Sequence, residues 1–263
     1  MQNYRVYGQP PLSIAVIHGG PGAAGEMAPV AEALASDCGI FEPFQTADSV
    51  HGQIEELKTQ LNKMAKAPVI LIGFSWGAWL CYLTAANNSD LVKKIILISS
   101  GPFESHYASN IQRIRLNRLS KDERNEINEI SDHLKNLKGS RQDRLFSRFG
   151  MLVAKADAYD SIEKVSKEKT IYNFHIFNAV WPEAEALRRS GKLLSLGKKI
   201  RCPVTAIHGD YDPHPATGVR EPLSRVLKKF RFVLLEKCGH KPWVEKGARE
   251  HFFMVLREAI ESI

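Results

Sequence analysis

Residues 68–78, P-V-I-L-I-G-F-S-W-G-A, leave a chain few ways to fold. Val69–Ile72 is a short apolar run rich in β-branched residues, which predicts a buried strand. From Trp76 the sequence W-G-A-W-L-C-Y-L-T-A-A reads as a helix that is apolar almost all round. A buried strand that passes straight into a buried helix has room for one tight corner. The corner residue must take strained dihedrals, and small residues must flank it two positions away. Gly73 and Gly77 meet that need around Ser75. The corner would raise the Ser75 hydroxyl above the end of the strand, at a helix N-terminus that favours negative charge.

The chain around this corner alternates strand and helix. Leu12–Ile17 predicts a buried strand that runs into His18-Gly19-Gly20-Pro21-Gly22, a tight turn with exposed backbone N–H groups. A helix is expected over Glu26–Ala35 and a short strand over Gly39–Phe44. Ser49–Lys66 carries Val50, Ile54, Leu57, Leu61 and Met64 at helical spacing, and Ile95–Ile98 is the next buried strand. This rhythm predicts a doubly wound, mostly parallel sheet. It breaks near Phe103. Until about Gly197 the sequence is helical and highly charged, which predicts a helical cap, a lid over the sheet edge, at residues 103–197. The core would then comprise residues 1–102 and 198–263. Strands return at Pro203–Ile207 and Arg231–Leu235, and a last helix is expected from Trp243 to about Ile260, with Pro242 in its first turn.

Two late loops add chemistry. His208-Gly209-Asp210-Tyr211-Asp212-Pro213-His214 follows one strand, and Cys238-Gly239-His240 follows the next. Both would leave the carboxyl edge of the sheet, where Ser75 stands and where open α/β sheets bind ligands. A serine needs a base to take its proton, and the base needs a third group to hold its tautomer. Ser75, His240 and Asp212 supply those groups in the order Ser…Asp…His. Asp210 and Glu104 are alternative acids. His208, Asp210, Asp212 and His214 could also be read as a metal cluster, but alternate side chains on a loop broken by proline do not converge easily, and no metal is expected. His18 reads as a hydrogen-bonded turn residue and Cys238 as a packing residue.

H-G-G-P-G, G-F-S-W-G, H-G-x-x-D and C-G-H together resemble the signatures of the α/β-hydrolase superfamily, over Leu12–Gly101 and Pro203–Ile263. The H-G-G-P-G and S-W-G pair is most similar to the prolyl iminopeptidase branch. The resemblance implies an α/β-hydrolase sheet with the cap inserted after the sixth strand position. It implies Ser75 as nucleophile, His240 as base and then acid, Asp212 as orienting acid, and an oxyanion hole from the Gly20 and Trp76 N–H groups. It implies a serine hydrolase that cleaves a small ester or amide through an acyl-enzyme without a cofactor. An aminopeptidase for N-terminal residues such as proline is one form of this, and cleavage of a carbon–carbon bond beside a ketone another. Glu183 and Glu185, in W-P-E-A-E, are placed to hold a substrate amine or to form an exposed helix face, and Trp181 to line the lid. A non-catalytic small-molecule receptor on the same fold is the alternative. The chain departs from the family in two places. Only about eleven residues precede the first core strand, so the leading antiparallel hairpin is expected to be short or missing, and F-E-P-F-Q-T-A-D-S replaces the usual D-x-R-G-x-G-x-S loop.

Charge narrows the partners. The net charge is +7, but the bases are interleaved with acids. Arg113, Arg115, Arg118 and Lys121 run directly into Asp122 and Glu123, which reads as a solvated helix face and not a nucleic-acid groove. The expected partner is a small molecule or short peptide, with no nucleic acid and no membrane. Four scattered cysteines without a C-x-x-C, and no basic segment leading into a long apolar stretch, predict reduced thiols in a cytoplasmic protein.

Overall fold

The computed structural model describes residues 3–65, 67–162 and 169–262. The chain begins with β1 (Tyr4–Tyr7), β2 (Leu12–Ile17), the two-residue β3 (Ala23–Ala24) and α1 (Ala28–Leu34). Then come β4 (Gly39–Pro43), α2 (Val50–Met64), β5 (Val69–Phe74), α3 (Trp76–Asn87) and β6 (Val92–Ile98). Helices fill the middle of the chain: α4 (Ser105–Ala108), α5 (Ile111–Asn117), α6 (Lys121–Leu134) and α7 (Ser140–Asp157). The two-residue β7 (Ile171–Tyr172) precedes α8 (Phe174–Arg189) and α9 (Lys192–Ser195). β8 (Val204–Gly209), α10 (Thr217–Val226), β9 (Phe230–Leu235) and α11 (Arg249–Glu261) close the fold.

Seven strands make one sheet in the order β1-β4-β2-β5-β6-β8-β9. All neighbours are parallel except β1, which pairs antiparallel with β4 from Tyr4↔Pro43 to Tyr7↔Ile40. Of the two expected outcomes for the leading hairpin, short or missing, the structure has the short one: a single antiparallel edge strand, packed into the few residues ahead of β2. β5 lies near the middle of the sheet and every one of its residues is buried. A parallel sheet covered on both faces needs apolar residues at every strand position. Lys94, in β6, is one exception, as are Glu42 in β4 and Thr205 and His208 in β8. Lys94 is buried and donates to the Ala259 carbonyl at 2.7 Å, at the C-terminal end of α11, where a helix favours a cation.

Helices cover both faces. Leu57 and Leu61 of α2, Leu80 and Tyr82 of α3 and Leu223 of α10 pack on one face. Met27, Val30 and Leu34 beside and in α1, with Phe252 and Leu256 of α11, pack on the other. A third cluster lies within residues 103–197: Leu119, Ile127, Ile130, Phe146, Leu152 and Phe174. The capping box of Ser120 and Glu123 starts α6, with both reciprocal hydrogen bonds formed. Ile176, Val180 and Ala184 of α8, within the predicted cap, join the core cluster that includes α3. The expected helix from Trp243 does not run unbroken. Pro242–Val244 forms a single short turn and α11 starts at Arg249, because the Glu245 side chain turns inward to bond backbone N–H groups of residues 159, 160 and 239. Among the described residues no helix is long and apolar enough to cross a membrane.

Candidate active site

The corner between β5 and α3 has the shape its sequence requires. Ser75 adopts φ 52° and ψ −113°, a conformation that L-residues rarely take. Its N–H donates to the Ile98 carbonyl at 3.0 Å, which pins the corner to β6. The backbones on either side approach closely. A methyl group added at Gly73 would lie 2.2 Å from the Gly77 carbonyl oxygen, and one at Gly77 would lie 2.2 Å from that of Ile17. Trp76 is the first residue of α3, so its N–H has no acceptor within the helix.

β8 and β9 deliver the other two groups. His240 Nδ1 lies 2.6 Å from Asp212 Oδ2, and both residues are buried. The His240 ring packs on Phe74, the residue before Ser75, with centroids 4.8 Å apart. Trp243 meets the same phenyl ring edge-on. The other two acids lie elsewhere. Asp210 Oδ1 accepts from the Cys238 N–H at 3.1 Å, and Glu104 forms a surface ion pair with Arg225. Asp212 is therefore the acid that meets His240.

Asp212 sits in a richer setting than the sequence suggested. Its Oδ1 lies 2.7 Å from His214 Nδ1 and accepts from the His214 N–H at 2.9 Å. His208 Nε2 lies 3.5 Å from Oδ2 and donates to the His214 carbonyl at 2.8 Å. The side chains of His208, Asp212 and His214 thus do converge, contrary to expectation. The turn through Pro213 folds the loop back so that both rings point at one carboxylate. Burial pushes the Asp212 carboxyl up, but His240 and His214 together outweigh it and hold it well below the usual carboxylate range. Burial pushes His214 down to about 4, against the pull of Asp212. His208 and His18 are lowered for the same reason.

Two residues from the helical middle of the chain complete this cluster, and sequence reasoning missed both. Arg115, on α5, holds Asp157, on α7, through two bonds of 2.7 and 2.6 Å. Its Nη2 lies 3.4 Å from His214 Nε2. The Asp157 carbonyl accepts the His240 N–H at 2.9 Å. The expected solvated face of Arg113, Arg115 and Arg118 is therefore half wrong. Arg115 and Arg118 turn inward, Arg118 onto the Tyr211 ring at 3.6 Å and the Tyr211 carbonyl at 2.8 Å. The only signal was spacing: Arg115 and Arg118 are three apart and share one side of a helix, while Arg113 does not. Asp157, His214 and His240 each bring one potential metal-ligand atom to within 4.8 Å of the others. The Arg115 guanidinium already takes both Asp157 oxygens and faces His214, so its charge opposes a cation at that spot.

The glycine turn after β2 is equally constrained. His18 is fully buried, with Nδ1 2.9 Å from the Gly19 carbonyl and Nε2 accepting from the Gln45 N–H at 3.2 Å. Since a carbonyl only accepts, Nδ1 carries the proton. Gly20 has φ 108°, a value that suits glycine. Lys241, beside His240, forms an ion pair of 2.7 Å with Glu26, just past this turn. β3 then pairs antiparallel with β7, and the Gly22 carbonyl accepts from the Asn173 N–H at 2.8 Å.

The residues of the predicted cap singled out from sequence are placed as follows. Trp181 is stacked between Phe177 and Trp79, at 6.2 and 6.0 Å with nearly parallel rings. Trp79 lies one turn of α3 beyond Ser75. Glu183 Oε2 accepts from the Val50 N–H at 2.8 Å, at the start of α2. Glu185 is half exposed and pairs with Arg188 at 3.0 Å. Cys38, Cys81, Cys202 and Cys238 are all unpaired.

A family model described as alpha/beta hydrolase fold matches residues 13–246. Solved structures with the same fold include the enol-lactonase from Burkholderia xenovorans LB400, at 14% identity and a TM-score of 0.63, covering 98% of this chain and 96% of that one. Est816, described as an N-acyl homoserine lactone degrading enzyme, matches at 14% identity and a TM-score of 0.64, covering 97% of this chain and 95% of that one. E-2-(acetamidomethylene)succinate hydrolase matches at 16% identity and a TM-score of 0.64, covering 98% and 94%. At such identities the likeness is one of fold. Among curated proteins none matches in sequence.

Proposed function

The chain belongs to the alpha/beta hydrolase fold family, and from that premise we propose that it is a serine hydrolase acting on a small carboxylic ester or amide through an acyl-enzyme. The observation that carries this reading is the buried Asp212–His240 bond of 2.6 Å beside the strained Ser75 corner. Asp212 accepts the His240 Nδ1 proton, which leaves Nε2 as the base. The Ser75 Oγ attacks the substrate carbonyl carbon and its proton passes to His240 Nε2. The carbonyl oxygen takes the electron pair of the C=O π bond, and the Gly20 and Trp76 N–H groups receive it. Each such donor is worth roughly 3–4 kcal/mol in the transition state. As the C=O bond re-forms, the alcohol or amine leaves with the proton from His240. Water then repeats the cycle on the acyl-Ser75, frees the acid and restores the serine.

The ester form is favoured over an aminopeptidase. Glu183 is engaged at the start of α2 and Glu185 by Arg188, so neither presents a free carboxylate for a substrate amine. Trp79, Trp181 and Phe177 instead stack into an aromatic layer that begins one turn of α3 beyond Ser75. An apolar acyl chain suits such surroundings better than an ammonium group does. A receptor on the same fold would keep the pocket but would not react.

Treatment with a fluorophosphonate should label one site per chain, and Ser75→Ala should abolish both labelling and turnover of p-nitrophenyl butyrate. Cleavage of prolyl-arylamides faster than of short acyl esters would return the reading to an aminopeptidase. Absence of labelling in the folded wild type would favour the receptor.

A further inference from the structure

We propose that Arg115, a residue of the cap, is a positioning residue for the hydrolytic step, acting through His214 to fix how Asp212 holds His240. The assignment rests on the serine-hydrolase reading above and concerns how its base is held.

The direction of each bond follows from chemistry. Arginine only donates. Nη2 of Arg115 lies 3.4 Å from His214 Nε2, so that nitrogen is the acceptor and His214 carries its proton on Nδ1. The Nδ1 proton then points at Asp212 Oδ1, 2.7 Å away, and the His214 N–H meets the same oxygen. Oδ2 is left to His240. With both oxygens committed, the plane of the carboxylate is fixed, and with it the tilt of the His240 ring.

The charges follow the same logic. His240 becomes an imidazolium as Ser75 attacks, and Asp212 must stabilise it. The His214 ring lies only 4.4 Å from it, centroid to centroid, so a second imidazolium there would oppose the first. Burial keeps His214 neutral, and the nearby guanidinium works in the same direction. Arg115 does not compete for Asp212, because Asp157 balances its charge through two bonds. Asp157 also accepts the His240 N–H, so α5 and α7 hold the catalytic loop from the cap side. The other charged or titratable groups around this cluster have their own partners: His208 on the His214 carbonyl, Lys241 on Glu26, and Arg118 on the Tyr211 carbonyl.

Four variants test this: His214→Asn, His214→Phe, Arg115→Lys and Arg115→Met. Each is assayed for the rate of fluorophosphonate labelling and for kcat and KM on p-nitrophenyl butyrate, with circular dichroism to check folding. A side-chain amide can donate to Asp212 in place of the Nδ1 proton, so His214→Asn should stay within about threefold of wild type, while His214→Phe should lose about 10- to 100-fold in kcat, the range a hydrogen bond to a charged group spans. Arg115→Met should lose about tenfold in kcat with KM unchanged, because Nε2 of His214 loses its donor and the ring its fixed tilt. Arg115→Lys should recover part of the rate. Equal kcat and labelling in His214→Phe and wild type would overturn the assignment, as would an Arg115→Met loss confined to KM. Should Arg115→Met fail to fold, the His214 pair decides by itself, since it cuts the same relay at its middle. A wild type that neither labels nor turns over overturns the hydrolase reading and this assignment with it. A wild type that labels, with variants that label as fast, overturns this assignment alone.

Discussion

Two buried carboxylates hold the His240 loop, and the chain satisfies them by different means. Asp212 is met by imidazole rings at 2.6 and 2.7 Å, groups that can change charge. Glu245 is met by backbone amides, which cannot. Its Oε1 accepts from the Gly239 and Tyr159 N–H groups at 3.0 Å each, and its Oε2 from the Asp160 N–H at 2.8 Å. Both side chains are withdrawn from solvent. A carboxylate bonded only by amides is a clamp: it ties the end of α7 to the loop after β9. A carboxylate bonded by histidines is a clamp with an adjustable proton inventory, which is what acid–base chemistry at the neighbouring ring requires.

This difference can be broken or sharpened by substitution. The largest effect is expected at Asp212→Asn, where kcat should fall about 10⁴-fold, as when a triad acid becomes an amide that holds the wrong histidine tautomer. Its thermal midpoint should move little by comparison, and steady-state kinetics beside a thermal melt check both. Glu245→Ala should do the reverse. It leaves three N–H groups without an acceptor, that of Gly239 buried, a loss of roughly 1–3 kcal/mol in urea unfolding, with kcat of the folded fraction kept within about tenfold. A Glu245→Ala enzyme that is fully stable but inactive would erase the distinction between the two acids.

The smallest effect is a slope in acid. In the folded chain His214 titrates near 4, and in the unfolded chain near its ordinary value of 6.5. Between those values the unfolded state binds more protons, so stability should fall as pH drops through that window. His208 and His18, also lowered by burial, act in the same sense. Asp212 contributes nothing to this slope. Its carboxyl is held below the usual range, so its stabilisation is intact above the unfolded pKa and is lost only as pH falls through the folded value. Urea midpoints measured across the window should show a shallower slope in His214→Asn than in wild type. Equal slopes would mean that His214 is not held neutral by its surroundings.

The parts of the site built by local constraint were legible in the sequence. Ser75, with its flanking glycines, is a corner that neighbouring residues alone dictate, and the histidine after β9 and the acid after β8 follow from the carboxyl edge of a parallel sheet. What the sequence did not reveal depends on contacts across the chain. Arg115 meets Asp157 42 positions away, and the spacing that sets it apart from the exposed Arg113 does not say which side of the helix faces inward. His214 was read through the extended geometry of its loop, and the fold back through Pro213 overrode that. β1 was allowed for as a short hairpin but not placed, because four residues ahead of a core strand carry too weak a period to announce an edge strand. The break before α11 was missed because Glu245 looks like an ordinary helix-surface acid until its three amide partners are assembled.

The β3–β7 ribbon bears on how a reactant enters. Ala23 and Ala24 follow the glycine turn directly and are paired with Ile171 and Tyr172, while Gly22 is bonded to Asn173. Lifting residues 171–173 either drags the glycine turn along or severs those bonds. Unzipping the ribbon would therefore disturb the turn whose Gly20 N–H is proposed to receive the substrate's charge.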